Sequence, residues 1–91
     1  MIYELADGKS IDTANDLTFE ERNFIQKMLI YQHLNFDLEA FRAKWRKPGN
    51  PVWRGESALA NPSPAEKILL DLERKIRLKN SKPSEAKKRG A

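Results

Sequence analysis

The chain contains no cysteine, which removes disulfide frameworks and thiolate metal sites from consideration. It has a single histidine, His33, so a zinc site would have to rely on carboxylates. Long apolar runs are also missing. The longest is MLIY at 28–31, against about 20 residues for a membrane-spanning helix. The opening MIYELADGKS lacks the basic start and apolar stretch of a secretory leader. These absences predict a soluble cytoplasmic protein with no membrane partner, no metal and no cofactor. The 91 residues are enough for one domain with a small core.

Charge is unevenly distributed. Residues 1–40 carry eight acids and three bases, whereas residues 41–91 carry fourteen bases and five acids. The overall charge of +4 hides this polarity, which suits either an anionic partner or pairing of opposite halves within or between copies. The sign changes at Phe41–Arg54, FRAKWRKPGNPVWR, which contains five cations and two tryptophans without an acid.

The patterning predicts a mainly α fold. It is a small three-helix bundle with a central apolar helix, a short N-terminal hairpin and a disordered basic C-terminal tail. Ile2, Tyr3 and Leu5 precede Asp7-Gly8, a favoured hairpin turn. Thr18 and Glu21 form a capping box that opens a helix to about Leu34. Its apolar residues, Phe24, Ile25, Met28, Leu29, Ile30, Tyr31 and Leu34, spread almost all round the axis, so this helix is expected at the centre or at a subunit interface. Asp37 caps a second helix to Lys47 with Leu38, Phe41 and Trp45 on one face, ended by Pro48-Gly49. Residues 48–63 are read as a long loop with three prolines. Ser63-Pro64-Ala65-Glu66 opens a third helix, whose stripe is Ala65, Ile68, Leu69, Leu72 and Ile76. Asp71–Lys75 and Glu73–Arg77 are expected as i, i+4 pairs. Leu70 and Leu78 fall outside the stripe. The domain is taken as 1–79 and the tail as 80–91.

Candidate chemistry is sparse. Gly8-Lys9-Ser10 has the end of a phosphate-binding loop, but Tyr3 stands where that motif needs its first glycine, and no strand-to-helix turn is predicted there. His33 reads as a helix-end histidine near the negative end of the dipole, with Asp37 four residues on. The carboxylates at Asp12, Asp16, Glu20 and Glu21 include two that serve helix capping, and no serine sits in a nucleophile motif. A helix-turn-helix docking is disfavoured because Asp37 and Glu39 occupy the start of the second helix. A non-catalytic binding module is therefore expected. Arg42, Arg46, Lys47, Trp53 and Arg54 are its candidate surface for an anionic partner, either nucleic acid or an acidic protein face. The alternative is a self-associating assembly module, a homo-oligomer through the first helix. A small enzyme is the least favoured reading.

Overall fold

The computed structural model describes the backbone of residues 1–90 and the side chains of residues 1–80. Two short strands, β1 (Ile2–Glu4) and β2 (Ser10–Asp12), precede three helices: α1 (Phe19–Asn35), α2 (Leu38–Trp45) and α3 (Pro64–Gly90). Of the tail expected over 80–91, residues 81–91 lie outside the residues whose side chains are described.

The strands pair antiparallel with Tyr3 opposite Ile11. Gly8 takes φ +92° in the turn, a conformation that an L side chain rarely adopts. Because Gly8-Lys9-Ser10 leads from strand to strand, its amides do not form the helix-entry cradle of a phosphate loop. A hairpin this small needs support, and α3 supplies it. Tyr3 Oη donates to Asp71 Oδ2 at 2.8 Å, and the Ala6 N–H donates to Asp71 Oδ1 at 3.3 Å. Leu70, outside the α3 stripe, lies beside Leu5 and Ala6 and packs against the core.

The capping box of α1 forms as expected. The Glu21 N–H donates to Thr18 Oγ1, and the Thr18 N–H donates to Glu21 Oε1. The helix ends at Phe36, which adopts φ 55°, with the Lys79 ammonium 4.0 Å from its ring centroid. The central apolar helix is α3, which packs against both α1 and α2. All five residues of its predicted stripe are buried. By contrast, α1 buries Ile25 and Met28 and leaves Phe19, Ile30 and Leu34 exposed. The spread of apolar residues around α1 therefore reflects two surfaces, one facing the core and one facing outward.

Asp37 Oδ1 accepts the Ala40 N–H at the start of α2, which buries Phe41 and Trp45 completely. This helix ends at Trp45, two residues earlier than the pattern predicts, because the residue before a proline is driven out of the helical region. Lys47 precedes Pro48, and Arg46 already forms the cap. Asn50 then ties the loop to the helix end. Its Nδ2 donates to the carbonyls of Trp45 and Lys44, and its Oδ1 accepts the Val52 N–H, so terminal carbonyls are satisfied without another helical turn. The 48–63 segment contains a short 3₁₀ turn at Glu56–Leu59, and Val52 is fully buried. Ser63 and Glu66 form the second capping box.

Candidate anion-binding site

The basic segment divides once its contacts are traced. Glu73 of α3, 7% exposed, collects two arginines from α2. Arg42 Nη2 is 2.8 Å from Oε2, and Arg46 Nη2 is 2.7 Å from Oε1. Glu73 thus points toward α2, and the expected Glu73–Arg77 pair does not form. Asp71–Lys75 does form, at 3.1 Å. The Arg46 guanidinium also lies over the rings of Trp45 and Trp53, 4.8 and 5.7 Å from their centroids. Trp53 is half-buried and meets Trp45 edge to face at 5.8 Å. Trp53 thus packs against the core, with a cation over its ring. Arg54 is exposed and lies 3.6 Å from Glu21 Oε2. Of the five candidates, Arg42 and Arg46 share Glu73, Arg54 faces Glu21, and Trp53 packs inward. Lys47 alone faces a cleft rich in cations.

That cleft, about 510 Å³ in volume, lies between α1 and the end of α2 with its following turn. Its α1 wall carries Phe24, Met28 and Tyr31, with Lys27 beside them. The opposite wall carries Lys44, Lys47, Asn50 and Pro51. No acid lines it, and among the described residues no ion pair involves Lys27, Lys44 or Lys47. The Lys44 ammonium sits 5.1 Å from the Tyr31 ring centroid, where the face of the ring attracts a cation. Phe24 is half-buried.

Of the residues lining this cleft, Lys47 is among the candidates expected from sequence, whereas Phe24, Lys27, Tyr31 and Lys44 are not. A weak signal existed. Phe24, Lys27 and Tyr31 occur at i, i+3 and i+7 and so share one side of a helix. Their company became apparent only when α2 delivered Lys44 and Lys47 opposite them.

Several acids of the N-terminal half hold local structure. The Asp12 carboxylate accepts the Ala14 N–H at 3.0 Å and the Asn15 amide at 2.6 Å, and these bonds hold it below the usual aspartate range, the Ala14 N–H first. Asp16 Oδ2 accepts the Asp12 N–H. His33 is exposed in the last turn of α1, while Asp37 caps α2. Among the described residues no group of three His, Cys, Asp or Glu side chains is placed to hold a metal ion. No helix there is long and apolar enough to cross a membrane. No known family matches the chain, and no characterised protein or solved structure is detectably similar to it.

Proposed function

We propose that this protein is a small non-catalytic binding module whose lysine-rimmed cleft takes an anionic partner. One observation carries the reading: Lys27 of α1, Lys44 of α2 and Lys47 of the turn after it line one cleft with an apolar, aromatic floor and no acid in its lining. Cations held near one another without counter-charges repel, and an anion relieves that repulsion. Arg42, Arg46 and Arg54 each have an acid of this chain beside them, so the proposed surface centres on the cleft rather than on the loop tryptophan. The test is titration of labelled polyanions, an oligonucleotide and polyglutamate, at several salt concentrations. Affinity should fall steeply with salt and should weaken when Lys27, Lys44 and Lys47 are all changed to alanine. Binding to neither polymer at low salt would end the reading.

A second reading, self-association, is favoured by a different surface. Phe19, Ile30 and Leu34 on the outward side of α1 are 65%, 62% and 71% exposed.

A further inference from the structure

We infer that the cleft accommodates one unpaired nucleotide of a single strand, with its base against Phe24 and its flanking phosphates on the lysines. This rests on the anion-binding reading above and narrows it to one ligand chemistry.

The argument begins with the two aromatic rings. Tyr31 already has the Lys44 ammonium over it. Phe24 lines the same cleft, and among the described residues no cation lies over its ring. Of the two rings, half-buried Phe24 is the one with no cation already on its face. Met28, which is nearly fully buried, backs the same wall and adds a polarisable apolar floor.

Charge then selects the occupant. Lys27 stands on the α1 wall, and Lys44 and Lys47 stand on the wall opposite. A ligand between them should be flat and apolar in the middle and anionic at both ends. A nucleotide within a strand has that form, with a base between two phosphates. Acidic peptides supply carboxylates but no ring unless one is interposed. A duplex keeps its bases stacked inside and offers this cleft only its phosphates. Single-strand proteins combine the same two elements, cations along the backbone and an aromatic face for the base.

The test compares a short oligothymidylate, an abasic strand of the same length and charge, a duplex and polyglutamate, each by fluorescence anisotropy at several salt concentrations. The base-bearing strand should bind at least about 5-fold more tightly than the abasic one. Two flanking phosphates predict a log–log salt slope of about −1.4, made shallower in Lys47→Ala. Phe24→Leu should abolish the preference for bases while leaving the slope unchanged, and Phe24→Tyr should retain the preference. Circular dichroism of each variant establishes that it is folded. Should Phe24→Leu fail to fold, the abasic comparison on the wild-type chain decides alone. Equal, salt-dependent binding of base-bearing and abasic strands would overturn the nucleotide assignment and leave the anion cleft standing. Tighter binding of polyglutamate would transfer the cleft to an acidic protein and overturn it as well. Salt-independent binding, or none to any polymer, would remove both readings together.

Discussion

Asp71 and Glu73 stand two residues apart on α3, both buried, and each fastens a different element. Asp71 holds the hairpin. Burial alone would push its carboxyl up, but the Tyr3 hydroxyl, the Lys75 ammonium and the Ala6 N–H outweigh burial and hold it below the ordinary range. Tyr3 moves the opposite way, raised by burial first and then by its bond to Asp71 and the charge there. These shifts fix the pH dependence. Below about pH 4 the unfolded chain binds the aspartate proton more readily than the folded one, so stability is lost as pH falls. Above about pH 10 the folded tyrosine keeps a proton that the unfolded one releases, so stability is lost as pH rises. Urea midpoints measured across that range should be highest between these limits. Tyr3→Phe should cost roughly 1–2 kcal/mol at neutral pH and remove the tyrosine's share of the alkaline decline. It should leave the Asp12 share of the acid decline. An alkaline limb identical in Tyr3→Phe would show that the Tyr3–Asp71 contact does not operate.

At the scale of elements, Glu73 makes α2 and α3 a fixed pair. One carboxylate accepts from two guanidiniums, which orients the end of α2 and so sets the side on which Lys44 and Lys47 emerge. The two arginines are unequally shielded, with side chains 38% exposed for Arg42 and 27% for Arg46. Screening by water weakens the first more than the second. Glu73→Gln should lower stability by about 2 kcal/mol, and Arg46→Ala should cost more than Arg42→Ala, both read from urea midpoints. Equal midpoints for Glu73→Gln and the unmodified chain would mean that hydrophobic packing alone fixes α2. The early end of α2 belongs to the same scale. Pro48 ends the helix, and Asn50 accepts and donates at its end, so the turn that carries Lys47 and Pro51 to the cleft is tied to Trp45.

At the scale of the molecule, two surfaces of α1 have different fates. The helix is 17 residues long, about 25 Å. Phe19, Asn23, Gln26, Ile30, His33 and Leu34 fall within about 100° of its outward side, and all are exposed. None of these six carries a formal charge, although the Arg22 guanidinium lies 5.8 Å from the Phe19 ring centroid, and in a chain with 33% charged residues such a face suits a partner of similar chemistry. The self-association reading therefore predicts a concentration-dependent dimer in light scattering after size-exclusion chromatography. Ile30→Glu with Leu34→Glu should return the protein to a monomer while preserving its circular dichroism. A monomer at high micromolar concentration in the unmodified chain would end that reading.

What the sequence determined by itself was local. Thr18 with Glu21, Asp37, Ser63 with Glu66, and Asp7-Gly8 each satisfy backbone groups within a few residues, so their structures were legible from spacing alone. The α3 stripe was legible because 3.6-residue periodicity and burial coincide there. What only the tertiary structure decided was pairing across the chain. Glu73 had Arg77 four residues away, yet Arg42 and Arg46, roughly thirty residues away, took it, because a buried carboxylate gains more from two hydrogen-bonded guanidiniums than from one exposed helix-surface pair. The contacts of Trp53, Arg42 and Arg46 in the basic segment were decided in the same way, and so was the meeting of Lys27 with Lys44 and Lys47. Sequence records how many cations there are, but whether a cation is neutralised depends on which acid the fold brings beside it.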